Sequence, residues 1–290
     1  MDQPTLYPKV AIIATFRCGG TALAGAISRS YGAPLAFEPF SHPVNIPEQW
    51  RPPLDLGSHL THHPYDQYNG RDAAEVALEH VNAIYSGFSP EGKNFIGLKT
   101  VCCSRSPTAV FGSGDALLFV SRKLIATYGS IKQENWGELH PRAFHPLDPP
   151  LDNVWPEIAS KVPDLSQYWV LRWLVHSYAS LLYSEQGKFV PMIWVDEWDN
   201  DLRTHVAEYL RKKLGIEPDV PLEDTLGQAP PAPIKRLLGL ENKDDPTPIF
   251  WRPEWKRSQG KGYTQPMSII ADVLSKSGYR LLVELSNHIL

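Results

Sequence analysis

The stretch from Val10 to Phe40, VAIIATFRCGGTALAGAISRSYGAPLAFEPF, constrains this chain more than any other. It opens on an apolar, β-branched run, Val10 to Ala14. A short loop follows, Arg17-Cys18-Gly19-Gly20-Thr21. The chain then enters a helical pattern with Leu23 and Ile27 four residues apart among small side chains. A strand, a glycine-containing loop and a helix turn backbone N–H groups and a helix N-terminus toward an anion. Gly19 and Gly20 allow a close backbone approach to such a group. Arg17 adds a fixed charge, and Thr21 adds a hydroxyl at the helix start. The loop is not a Walker A sequence, because Gly20 rather than Lys precedes Thr21. It is not a Cys-x5-Arg loop either, since Ala24 stands six after Cys18. A Rossmann G-x-G-x-x-G is absent.

The same alternation of strand and helix continues along the chain. The apolar patterns predict strands at Leu35–Phe37, Phe95–Val101, Ala116–Ser121 and Phe189–Val195. Helical spacing covers Arg71–Tyr85, Leu165–Gln186 and Asp201–Leu214, the last followed by Gly215, and Pro266 opens a final helical region. Residues 41–70, 136–163 and 217–265 read as long loops inside a single domain spanning 1–290. The expected fold is α/β: a three-layer α/β/α arrangement with a central parallel sheet covered on both faces. Ligands of such sheets sit at the carboxyl ends of the strands. That rule gathers Arg17 after the first strand, Lys99 near the end of FIGLKTV, and Arg122 directly after ALLFVS. Cations on successive strand ends imply a ligand with several negative charges.

Composition narrows the class. The net charge of −4 gives no support for general nucleic-acid binding, and no apolar run approaches the length of a membrane span. Three cysteines, Cys18, Cys102 and Cys103, do not make a disulfide framework, so a reducing, cytoplasmic compartment is expected.

These residues resemble the sulfotransferases that use 3′-phosphoadenosine 5′-phosphosulfate (PAPS). The phosphosulfate loop of that family reads Pro-Lys-Ser-Gly-Thr-Thr in one branch and Pro-Arg-Ser-Gly-Ser-Thr in another. Here it is Phe16-Arg17-Cys18-Gly19-Gly20-Thr21. The second branch often carries Glu-Pro-Phe shortly afterwards, and this chain has Glu38-Pro39-Phe40. The family's 3′-phosphate site is an Arg after a buried strand with a Ser eight residues on, as Arg122 and Ser130 are. Trp194-Val195-Asp196-Glu197-Trp198 is a loose version of the family's Tyr-Glu-Asp-Leu strand end. The resemblance covers about residues 8–40 and 95–215.

The resemblance implies a P-loop-like sulfotransferase fold and a transfer of the sulfuryl group from PAPS to a hydroxyl on a small molecule, lipid or sugar, leaving 3′-phosphoadenosine 5′-phosphate (PAP). Arg17, Cys18, Gly19, Gly20, Thr21, Ala22, Arg122 and Ser130 would hold the nucleotide. Arg17 and Lys99 would act on the reacting sulfonate and leaving phosphate, and Glu38 would be the base. No metal is implied. The chain departs from the pattern at Cys18 and Gly20, where hydroxyl residues are usual, and at Val101, where the cytosolic branch carries its base, a His. The C-terminal Arg-Lys-Gly-x-x-Gly loop is missing; Lys256-Arg257 and Gly260-Lys261-Gly262 are the substitutes on offer. His59, His62, His63 and Asp66 could supply a base or a metal site, although a Pro-rich loop with several His is more often solvated. Two other readings stay open: a divergent P-loop kinase-like nucleotide-binding protein, and a nucleotide binder without catalysis.

Overall fold

In the computed structural model, the described residues are 8–15, 18–40, 43, 45–53, 55–57, 60, 67–101, 115–122, 127, 155–161, 192–194, 200–225 and 272–273. Among the described residues five strands make the central sheet: β1 Val10–Ala14, β2 Leu35–Phe37, β3 Gly97–Val101, β4 Ala116–Ser121 and β5 Met192–Trp194. Their order across the sheet is β2-β3-β1-β4-β5, and every pairing is parallel. Ile12 of β1 is flanked by Lys99 of β3 and Leu118 of β4. All five residues of β1 are buried. A strand covered on both faces has no polar face to show, which is why its sequence is a continuous apolar run rather than an alternation.

Helices cover both faces. α1, Gly20–Ser30, lays Leu23 and Ile27 against Ile12, Ala14, Leu118 and Val120. α4, Asn200–Leu214, joins the same face through Val206, Leu210 and Leu214, spaced four apart, and stops at Gly215 with φ 64°. On the other face, α2, Ala73–Ser86, packs Val76, Ala77, Val81 and Ile84 over Ala11, Ile13, Leu98 and Phe119. Asp72 caps α2, its carboxylate accepting from the Ala74 N–H at 2.7 Å. Burying each of these Ile, Leu or Val side chains contributes about 1.5–3 kcal/mol, so the two layers hold the sheet as a sandwich.

The structure adds elements where long loops were expected. Gln67–Tyr68 and Arg71–Asp72 pair as an antiparallel ribbon around Asn69 and Gly70, both with positive φ. The helix there consequently begins at Ala73 and not at Arg71. α3, Trp155–Lys161, lies within 136–163, and the single turn α5, Leu222–Thr225, within 217–265. α5 is tied to α1: the Thr225 hydroxyl donates to the Ala26 carbonyl at 3.1 Å, and Arg29 donates to the Thr225 carbonyl at 3.0 Å. No described helix is long and apolar enough to cross a membrane. The helical stretch expected at Leu165–Gln186 lies outside the described residues.

Candidate functional site

Among the described residues the strand order reverses between β1 and β4, the place where open α/β sheets carry their ligand crevice. From β1 the next described strand in sequence, β2, lies on one side; from its neighbour β4 the next described strand, β5, lies on the other.

Thr15 and Cys18, which follow β1, both bond to β4. The Thr15 N–H donates to the Val120 carbonyl at 3.0 Å, and the Cys18 thiol donates to the same carbonyl at 3.2 Å. Gly19 then turns the chain with φ 85° and opens α1 as a cap without a side-chain bond. Its carbonyl accepts from the Ala22 and Leu23 N–H groups at 3.0 and 3.2 Å. Gly20 is required from the inside. A Cβ there would overlap the Cβ of Ala14 and lie 3.4 Å from Cε of Lys99. Close packing of helix on strand therefore explains the second glycine. Thr21 is half-buried and Ala22 buried on the first turn.

Lys99 enters from β3. It is 4% exposed, and its ammonium sits 4.7 Å from the centre of the Phe37 ring on β2. Its partner is Glu38, whose carboxylate accepts directly from the ammonium. Glu38 also donates its backbone N–H to the Lys99 carbonyl at 2.7 Å. The Glu38 backbone is left-handed, with φ 42°, immediately before Pro39. Positive φ is uncommon for a side-chain-bearing residue, and a residue before proline is pressed toward extended backbone, so this geometry stores about 1–3 kcal/mol of strain. Asn45 braces the strand that leads into it. Its Oδ1 accepts from the Phe37 N–H at 2.9 Å, and its Nδ2 donates to the Leu35 carbonyl at 2.6 Å.

Across β1 stand Ser121 and Arg122. Ser121 is fully buried, and its hydroxyl has no hydrogen-bond partner among the described residues. Arg122 is 7% exposed. Burial pushes the Cys18 thiol above its ordinary pKa, while Thr15, the Gly20 N–H, and the charges of Lys99 and Arg122 pull it the other way. Cys18 thus lies within electrostatic reach of both cations, one contributed from each side of β1. A helix N-terminus, two buried cations and a carboxylate converge on the carboxyl end of the sheet. Such a set can hold a multiply charged anion and, at Glu38, accept a proton.

Of the residues singled out in the sequence, Cys18, Gly19, Gly20, Thr21, Ala22, Glu38, Lys99 and Arg122 come together at this end. Arg17 and Ser130 lie outside the described residues, as do His59, His62, His63, Asp66, Cys102, Cys103, Glu197 and the Lys256-Arg257 cluster. Sequence reasoning missed Asn45 and the Ser121 hydroxyl. Ser121 had a signal, a polar residue ending an otherwise apolar strand beside Arg122. Asn45 had none, since its role is to bond the backbone of an edge strand from a loop. No group of three or more His, Cys, Asp or Glu that could hold a metal occurs among the described residues. No protein-family model matches the chain, and no curated protein matches it.

Proposed function

We propose that the chain is a PAPS-dependent sulfotransferase acting on a hydroxyl of a small molecule, lipid or sugar in a reducing, cytoplasmic compartment. One observation carries the reading: Cys18 of the glycine loop, beside the α1 N-terminus, lies within electrostatic reach of Lys99 on one side of β1 and of Arg122 on the other. PAPS is charged at two separate places and asks for an anion site at each. The glycine loop with Arg17 would take the 5′-phosphosulfate. Arg122 with Ser130 would take the 3′-phosphate. Sulfuryl transfer is an in-line displacement, so catalysis is mostly positioning plus stabilisation of charge on the leaving phosphate, by analogy with phosphoryl transfer. Lys99 would sit over the sulfonate, and Glu38 would take the acceptor's proton.

Calorimetric titration tests the reading. PAP is expected to bind well and AMP, which lacks the 3′-phosphate, much more weakly, both without magnesium. Equal affinities would remove the assignment of Arg122 and Ser130. Preference for ATP with a magnesium requirement would assign the crevice to a kinase-like nucleotide binder instead. Tight PAP binding without turnover of PAPS over a panel of alcohols, phenols and sugars would leave a binding protein.

A further inference from the structure

Glu38 holds Lys99 at two points, through the backbone N–H and through the carboxylate. The two ends of the ion pair differ in access: the side chain of Lys99 is 5% exposed and that of Glu38 is 17% exposed. The ammonium is therefore fixed between the Phe37 ring and the start of α1, while the carboxylate lies on the outward side, on strained backbone. A buried ammonium is costly to leave without a counter-charge, so Glu38 can withdraw only when another anion replaces it.

We propose that Lys99–Glu38 is an exchange contact: the donor's sulfonate takes Lys99 from Glu38, and the carboxylate so released becomes the base for the acceptor. This rests on the sulfotransferase reading and adds an order of events, donor before acceptor. In the step itself the acceptor O–H bond breaks and its proton passes to the Glu38 carboxylate. The acceptor oxygen forms a bond to sulfur. The bond from sulfur to the 5′-phosphate oxygen breaks, and its electron pair leaves on the phosphate. Before the donor arrives, the Glu38 lone pairs that would accept the proton are engaged by Lys99, so the base is withheld from an acceptor that enters first.

The experiment compares PAPS with PAP, which differ by the sulfonate alone, in wild type and Glu38→Gln. Removing the competing carboxylate should raise the affinity for PAPS relative to PAP by about tenfold, the order of one charge-assisted contact, while turnover falls. A merely structural Glu38 would shift both affinities together. In a Lys99→Met background the ratio should no longer respond to Glu38→Gln. An unchanged ratio in the single variant, or a persisting change in the double variant, overturns the exchange and leaves the nucleotide site standing. Failure of both nucleotides to bind wild type overturns the functional reading, and the exchange falls with it. Should circular dichroism find Glu38→Gln unfolded, Glu38→Asp, with its shorter carboxylate stem, supplies the comparison: the ratio should rise a few-fold, and no rise overturns the proposal.

Discussion

Two buried lysines stand at opposite ends of the central sheet, and they are held in different ways. Lys9, just before β1, is 6% exposed; its ammonium donates to the Phe95 carbonyl and lies 5.6 Å from the centre of the Tyr85 ring. Its backbone ties β1 to β4, with the Asp115 and Ala116 N–H groups donating to its carbonyl at 2.9 and 3.0 Å. Burial lowers its pKa, and Asp115 opposes the shift. Lys99 also lies over an aromatic ring, but its counter-group is the carboxylate of Glu38 at a strained loop position. A backbone carbonyl at a strand start cannot be exchanged without unravelling the ladder. A carboxylate on a loop can be. The amino end of the sheet therefore reads as a seal and the carboxyl end as the candidate site.

The sharpest way to break this contrast is to neutralise both ends and measure turnover. Glu38→Gln keeps the shape and removes the basicity. Turnover of PAPS with an aliphatic alcohol should fall by about 10²–10⁴, the usual worth of a general base, with PAP affinity little changed. Lys9→Met should leave turnover at the wild-type level. Full activity in Glu38→Gln would move the base to the His59, His62 and His63 loop, and assays of the three His→Ala variants would find it there.

Binding should separate the two flanks of β1. Arg122→Ala should weaken PAP by about 2–4 kcal/mol, the cost of removing a charged partner from a phosphate in a desolvated site. If PAP affinity is untouched, the 3′-phosphate lies elsewhere, and Lys256 and Arg257 are the next residues to change.

Much of this frame was legible in the sequence, and the reasons are physical. Val10–Ala14 and Ala116–Ser121 end where their apolar runs end, because a strand buried on both faces changes composition abruptly at the rim. α4 was legible from residues spaced four apart and a glycine stop. The ribbon at Gln67–Asp72 was not, although Asn69-Gly70 is a two-residue turn signal; its strands are two residues each, too short to show alternation. α3 hides in a stretch whose prolines and histidines dominate the local reading. The individual residues Glu38 and Lys99 stood out, but their union did not. They are separated by 61 positions and meet only because β3 inserts between β1 and β2.

Stability should distinguish the lysines more gently than turnover does. Lys99→Met leaves a half-shielded Glu38 without its Lys99 contact, at a cost of about 2–3 kcal/mol, toward the low end for a broken buried pair because Glu38 reaches solvent. Lys9→Met leaves the Phe95 carbonyl without its donor and takes the opposite charge from Asp115, whose carboxylate keeps the Lys9 backbone N–H; the volume stays filled, and the cost is about 1 kcal/mol. Urea unfolding of both variants checks the difference. Equal losses would mean that Glu38 contributes nothing to holding Lys99.

The smallest expected effect tests whether Cys18 is packed or poised. Its thiol is 1% exposed and bonded to the Val120 carbonyl, and burial raises its pKa despite the two cations nearby. The sign of the pH dependence follows from proton counting. Above about pH 8.5 the unfolded chain releases the Cys18 proton, while the folded chain retains it. The unfolded state then binds fewer protons than the folded state, so stability falls as pH rises through that value. The loss is read at pH 9 as the difference between wild type and Cys18→Ala, so that the other titrating groups cancel. Folded protein should also resist iodoacetamide at Cys18 until it is unfolded. Rapid alkylation at neutral pH, or stability that rises with alkaline pH relative to Cys18→Ala, would mean that Lys99 and Arg122 outweigh burial. The thiolate would then itself be an anion of the site, competing with the donor for the same two cations.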